Sequence, residues 1–485
     1  MAIVSIMPSA RPTQESRLAV NVIGVLDDGS QPGQAAQLYV DAFHAAEVPV
    51  ATTSIAPNGP EAPWQTPLEP SVNLACMNGD DLVRFARTAG GGVLVQRPTI
   101  GQWAWETDVL PPTWFQAFPL LQEIWAFSTF VRDNLERLSP VPVAVVPMPV
   151  SVPDPSGVQP PIDQDDRFIF LFMFDFLSSL RRTNVAGLIE AFTRAFAPVE
   201  GPRLLLKAIN GGLRPEAEAE LRQKLADRPD IELVDAHLGP AQNAALLARA
   251  DCYVSLHRSE SFGRTLAESM AVGTPVIATG YSGNLDFTTP ANSYLVDWLP
   301  SRIGPGGEGY PPEGTWAEPD LDHAAELLRR VWQRPEEARA KADRARADIP
   351  RVCAPEAVGR LARGRLERLA AQPTRAVALS DASKALAEIR LVALEDGLVF
   401  DPERGFPPYP SGLRGVVRRF LLRLMLPFTR HEHRFDRATA LALRGLQVEL
   451  AQLRVLHDED RARIQRLEEP ALGREGVEDG NARER

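Results

Sequence analysis

Cysteine is scarce in this chain: Cys76, Cys252 and Cys353 are the only three among 485 residues. They lie far apart, without the close spacing that binds a metal, and Cys252 sits in the apolar run DCYVSL as a small core residue would. A reducing cytoplasm fits that usage. Long apolar runs are missing as well, since no stretch reaches the roughly 18–20 residues that cross a bilayer. The opening MAIVSIMPSARPTQES is broken by prolines and polar residues and does not read as a secretion signal. Positive charge is in deficit, with 52 Lys and Arg against 63 Asp and Glu and a net charge of -11. That balance argues against a general nucleic-acid binder, which carries a basic face. Histidine is sparse early, His44 being the only one before residue 200. What remains is 44% hydrophobic and long enough for two or three domains, so a globular cytoplasmic protein is expected.

The apolar residues fall in an alternating rhythm. LAVNVIGVL reads as a buried strand and QAAQLYVDAFHAAE as a helix. SVNLACMN, EIWAFS and VAVVPMPV repeat the strand, while DDLVRFARTA and TFVRDNLERL repeat the helix. Strands alternating with helices predict a parallel sheet with helices on its faces. The proline- and aspartate-rich SVPDPSGVQPPIDQDD at 151–166 reads as a linker, and the rhythm restarts at FIFLFMFDF. The expected architecture is α/β: two Rossmann-like domains facing a cleft, residues 1–155 and 156–350, with ligands at the carboxyl ends of the strands. A helical C-terminal extension follows, with closing helices at 351–400 and a tail at 401–485. In the tail, Arg414, Arg418, Arg419 and Arg423 flank an apolar stripe. That stretch reads either as an anchor on anionic lipid or as a helix packed back on the body. Leu443/Leu446, Leu450/Leu453 and Ile464/Leu467 fit a heptad seam, either a short coiled coil that makes a homo-oligomer or a solvated single helix. A charged stretch from 470 is expected to lack fixed structure.

The stretch RSESFGRTLAESMAVGTPVIATGYSGNLDF, residues 258–287, carries the most chemistry. Ser261, Phe262 and Gly263 fall between a strand and a helix predicted over about 263–272, so free N–H groups at that helix start face the cleft. Such an end binds phosphate through its unpaired donors and the positive end of its dipole. Glu260, just outside the helix, suits sugar hydroxyls, and Glu268, one to two turns in, suits the ribose of a nucleotide. Taken alone, the two glutamates read equally well as a cap and a surface ion pair. Arg181 and Arg182 follow one strand and Lys207 ends another, so cations converge on the same cleft.

These residues carry a resemblance. HRSESFGRTLAESMAVGTPVIATGYSGNLDF is similar to the donor-site signature of retaining GT-B glycosyltransferases of family 4, and FDFLSSLRRTNVAGLIEAFTRAF and WAEPDLDHAAELLRRV resemble the opening and closing segments of their donor domain. IGQWAWETDVLPPTWFQAFPLLQEIWAFSTFVRDNL resembles acceptor domains of the subgroup that builds bacterial surface polysaccharides. The likeness covers roughly residues 18–350. It implies that Glu260 contacts the transferred sugar, helped by the backbone of Phe262 and Gly263, and that Glu268 holds the ribose. Arg182 and Lys207 would neutralise the diphosphate, with no metal and no cofactor. It also implies a nucleotide-sugar donor, GDP-mannose first and UDP-sugars next, and a glycan or lipid-linked acceptor. Retention would proceed through an oxocarbenium-like transition state. Departures are visible: Thr183 stands at the usual lysine position, Arg264 replaces a common leucine and adds either a phosphate contact or a surface charge, and the customary acceptor-domain histidine is absent. A non-catalytic subunit that binds nucleotide sugar or glycan is therefore the alternative.

On the acceptor side, aromatic faces beside a carboxylate suit a sugar. Trp103 and Glu106 in IGQWAWETD are the candidates, with Asn78 after SVNLACM and Gly33 in the first loop, DDGSQPGQAAQ. The same tryptophans also read as a core cluster with Trp114 and Trp125.

Overall fold

The computed structural model describes residues 18–371, apart from 27–30, 57–58, 61–70, 88–92, 95–96, 161, 163–165 and 199. The arginine-bearing stretch, the heptads and the charged tail lie outside the described residues. The first sheet has seven strands: β1 (Val20–Gly24), β2 (Val50–Ala56), β3 (Gly59–Pro60), β4 (Val72–Cys76), β5 (Thr99–Trp103), β6 (Glu123–Ala126) and β7 (Val143–Val145). They lie in the order β3-β2-β1-β4-β5-β6-β7, all parallel except β3. β1, β4 and β5 are buried at every position, which explains their unbroken apolar character. Three of the polar exceptions join across the strands: Asn21 donates to Asn73 at 3.1 Å and Asn73 to Thr99 at 3.1 Å, a rung across three strands that fixes their register.

The second sheet has six parallel strands, β8 (Ile169–Asp175), β9 (Arg203–Ile209), β10 (Ile231–Asp235), β11 (Cys252–Ser255), β12 (Val276–Thr279) and β13 (Tyr294–Val296), in the order β10-β9-β8-β11-β12-β13. In both sheets the order reverses beside the first strand of the unit, which opens a crevice at the strand carboxyl ends. A feature absent from the sequence reading follows β13: an antiparallel ribbon of β14 (Trp298–Arg302) and β15 (Thr315–Pro319), with a Gly- and Pro-rich tip over 303–314.

The chain then returns to the first unit. Val150 N–H donates to the Cys353 carbonyl at 2.7 Å, and the helix Pro355–Ala371 lies on the helix Gln31–Ala45. Gly359 permits that approach, since a Cβ there would sit 2.1 Å from the Ala42 carbonyl oxygen. Arg363 donates to the Ala46 carbonyl and Arg365 to the buried Glu123 carboxylate. Apolar burial is continuous from Val20 and Trp125 in the first unit to Phe170 and Phe262 in the second, so both units share one core.

Candidate functional site

The donor-side candidates gather where β8 and β11 end. β8 runs out at Asp175, and a single helical turn, Leu180–Thr183, carries both arginines. Asn184 closes that turn with φ at 58° and caps the next helix, Val185–Ala195, while its amide donates to the Leu256 carbonyl at 2.8 Å. The arginine turn is thereby tied to the end of β11. Arg182, 9% exposed, donates to the Glu260 carboxylate at 2.8 Å and to the Ser259 carbonyl at 2.8 Å. Burial works against its charge, but Glu260, Tyr310 and Glu106 outweigh that cost, so its pKa rises above the ordinary value. Arg181 has a different task. It donates to the carbonyls of Ile303 and Pro305, and its backbone N–H to Glu308, so it holds the ribbon tip.

The helix Arg264–Val272 starts on Gly263, whose φ of 89° lets the chain turn sharply, and no side chain caps it. Its first N–H groups are therefore available to an anion. Phe262 is 1% exposed and packs its ring at 5.1 Å from Phe287, so only its backbone serves the site. Arg264 lies 3.3 Å from Glu268. Burial raises the Glu268 pKa and Arg264 opposes the rise.

Beneath this surface sits a closed polar network. His257, fully buried, meets Ser255 Oγ at 3.0 Å through Nδ1 and Asn284 Oδ1 at 3.1 Å through Nε2. Burial lowers its pKa, so the ring is neutral. Above it, Ser282 adopts φ of 76° and accepts from the Glu260 N–H at 2.8 Å, while Gly283 N–H donates to the Glu260 carbonyl at 2.9 Å. A Cβ on Gly283 would stand 2.2 Å from the Ser261 carbonyl oxygen and 2.8 Å from Ser128 Oγ. This crowded point is also where the units meet. Ser128 caps the helix Thr129–Glu136 and donates to the Ser261 carbonyl at 2.7 Å. Asp286 takes the Thr129 N–H at 2.8 Å and its hydroxyl as well. A carboxylate of the second unit thus completes the start of a helix in the first.

The acceptor-side candidates separate. Trp103 is fully buried, 5.1 Å from Trp114 and 5.4 Å from Phe118, so it is core and does not face the cleft. It is the last residue of β5, still within the sheet. Glu106, three residues on, accepts from the Tyr310 hydroxyl at 2.8 Å. Asn78 accepts from the Ala104 N–H at 2.9 Å and so sets the loop that carries Glu106. Gly33 is not in a loop: it lies in the first turn of Gln31–Ala45, because Pro32 is tolerated where helix N–H groups have no partner anyway. Lys207 also departs from its expected place. It lies inside β9, two residues before the strand ends, and is 5% exposed. Burial lowers its pKa while Asp235 and Asp175 oppose, so its electrostatic partners are those carboxylates. The structure therefore joins Arg182, Glu260 and Glu106 in one field and leaves Lys207 among Asp175, Asn210 and Asp235.

Tyr310, Asp286, Ser128 and His257 did not emerge from the sequence as individual roles. A tyrosine inside GPGGEGYPPEG was the one available signal for Tyr310. Among the described residues, no group of three or more His, Cys, Asp or Glu side chains is placed to hold a metal ion. Among them, too, no helix is long and apolar enough to cross a membrane.

Residues 165–297 match the family described as "Glycosyl transferases group 1". The D-inositol 3-phosphate glycosyltransferase of Segniliparus rotundus is 29% identical over 135 residues, and the match spans 24% of this chain and 30% of that relative's length. Among solved structures, a glycosyltransferase from Rickettsia africae aligns with a TM-score of 0.54 at 12% identity, covering 73% of this chain and 100% of the other. Sucrose-phosphate synthase from Thermosynechococcus elongatus aligns at 0.51 with 18% identity, covering 73% and 98%. HepE of Anabaena, in complex with UDP and glucose, aligns at 0.51 with 13% identity, covering 72% and 100%. At these identities the structural likeness establishes the fold: the chain has the GT-B architecture, two Rossmann-like units facing one cleft, and its second unit is similar to group 1 glycosyltransferases.

Proposed function

We propose that this protein is a retaining, metal-independent glycosyltransferase that moves a sugar from a nucleotide-sugar donor to a glycan or lipid-linked acceptor. The observation that carries the reading is the part-buried Arg182–Glu260 pair beside the uncapped start of Arg264–Val272, with Glu268 further along that helix. In this reading Arg182 and the helix N–H groups take the charge that develops on the leaving diphosphate. Glu260 accepts from hydroxyls of the transferred sugar, and Glu268 turns from Arg264 to the ribose. The bond from the anomeric carbon to the diphosphate breaks as the acceptor oxygen attacks from the same face. The leaving phosphate oxygen takes the proton of the incoming hydroxyl.

GDP-mannose is our first choice of donor, from the resemblance to surface-polysaccharide enzymes, and UDP-sugars are the second, supported by the UDP bound in HepE. A role in bacterial surface-polysaccharide synthesis at the inner face of the membrane, in a homo-oligomer, belongs to the same proposal. A second reading, a nucleotide-sugar or glycan-binding subunit without turnover, is favoured by Thr183. That side chain is buried and leans on the Leu180 carbonyl, so it supplies no second cation where relatives carry one.

The test is a panel of GDP- and UDP-sugars with the purified chain, reading thermal unfolding and donor hydrolysis together. At 100 times Kd a donor should stabilise by about 2.7 kcal/mol. Protection with slow hydrolysis is expected, and Arg182→Gln should lose both. Protection without turnover, on any extract-derived acceptor, would favour the subunit reading. No protection by any donor would end the transferase and the nucleotide-sugar subunit readings alike.

A further inference from the structure

We propose that Glu106 and Tyr310 together bind a hydroxyl of the incoming sugar, with Tyr310 acting as the positioning residue that holds the Glu106 carboxylate. The inference rests on the glycosyl-transfer reading above and adds to it a residue from the ribbon tip of the second unit. Four observations meet here. The Tyr310 hydroxyl donates to Glu106 Oε2 at 2.8 Å, and among the described residues no other donor reaches that carboxylate. The Tyr310 ring lies 5.1 Å from Trp105, which is itself fixed by its indole N–H on the Val109 carbonyl at 2.8 Å and by Trp114 at 4.8 Å. The tip is anchored on both sides of the cleft: Arg181 binds three points of it, and Thr315 N–H donates to Asp108 at 2.7 Å. Finally, Arg182 responds to the charges of Glu260 and Glu106 together, so Glu106 shares one field with the donor-side cation.

The chemistry follows from this arrangement. A carboxylate offers about four lone-pair positions, and the phenol occupies one, which leaves the group oriented with acceptor capacity for neighbouring hydroxyls. Burial and Glu106 keep the phenol protonated, so it donates to the carboxylate and does not compete for its charge. A cationic ligand would meet the Arg182 guanidinium, whereas a neutral polyol would not. The same residues also bridge the two units, so a purely structural bridge is the competing account, and the test must separate the two.

Tyr310→Phe removes one hydroxyl and keeps the ring packing; Glu106→Gln keeps size. Each variant and the wild type are titrated with methyl α-D-mannopyranoside and methyl α-D-glucopyranoside by saturation-transfer NMR, and with GDP and UDP by calorimetry. The expected result is sugar affinity about tenfold weaker in both variants, 1.4 kcal/mol, with nucleotide affinity and unfolding midpoint unchanged. The proposal is overturned if the wild type binds neither glycoside, if Tyr310→Phe binds them as the wild type does, or if nucleotide affinity falls in parallel. If neither GDP nor UDP binds the wild type while the sugar arms behave as stated, the donor reading fails and the hydroxyl site stands.

Discussion

In the second unit, most of the polar groups at the cleft come from one stretch, 257–287, that folds back on itself through Ser282 and Gly283, with Arg182 joining from the turn Leu180–Thr183. In the first unit, two carboxylates, Glu106 and Asp108, emerge from a loop whose neighbours are core tryptophans, and the partners of both come from the opposite unit. The proposed donor side is thus held mainly within its own unit, Ser282 binding Glu260 22 positions away and Arg182 reaching it from 78 positions back, with Ser128 and Thr129 of the first unit joining at Ser261 and Asp286. The acceptor side is assembled from segments some two hundred positions apart, joined by Tyr310–Glu106 and Thr315–Asp108. A site built mainly within one unit should tolerate more change at the junction than one assembled across it.

The largest effect is expected at Arg182. Arg182→Gln should lower donor turnover by about 10²- to 10³-fold, since a preorganised group facing developing charge is removed. Stability should fall by about 2–3 kcal/mol, below the figure for a sealed pair because Glu260 keeps part of its surface in water. Urea unfolding and donor hydrolysis, measured on the same sample, check both. Next is Gly283→Ala, expected to cost about 3 kcal/mol because its Cβ meets backbone that has no rotamer to give. Nucleotide affinity should fall with it, because the tightest clash is with the Ser261 carbonyl of the same stretch, and calorimetry with GDP and UDP checks this. Asp286→Ala, which frees the start of Thr129–Glu136, should cost about 1 kcal/mol in the same unfolding measurement.

A smaller effect depends on pH. His257 has a folded pKa below its unfolded value of about 6.5, so its contribution is full above that pH and is lost as pH falls toward the folded value. Glu268 has the opposite sign, with a raised pKa whose contribution is present below about 4.5 and lost as pH rises through the folded value. Urea midpoints at pH 7.5 and 5.5 should therefore fall more for the wild type than for His257→Gln. An equal fall would remove His257 from the account.

The same contrast explains what the sequence disclosed. The α/β alternation, the helix start at Gly263 and the arginine turn were legible because each is a short-range pattern. Strand ends were not. Trp103 and Lys207 belong to apolar runs that continue into the sheet, and an error of two residues exchanges a cleft position for a buried one. Gly33 was misplaced for a similar reason, because the helix starts at Gln31, ahead of Pro32. Tyr310 was hidden by distance, since nothing in a Gly- and Pro-rich loop tells which carboxylate its phenol will meet. Asp286 falls within the quoted stretch 258–287, but its partner Thr129 lies 157 positions away.

The central claim is that a nucleotide diphosphate lies between Glu260 and Glu268, along the uncapped start of Arg264–Val272. Calorimetric titration of GDP and UDP into the wild type and Glu268→Ala tests it most directly. The account predicts saturable binding of at least one nucleotide by the wild type and about tenfold weaker binding by the variant, with unfolding midpoints nearly equal because the lost Arg264 contact is a single part-buried i,i+4 pair whose removal also relieves the cost of burying the carboxylate. Unchanged nucleotide affinity in Glu268→Ala, or no binding by the wild type, would contradict it.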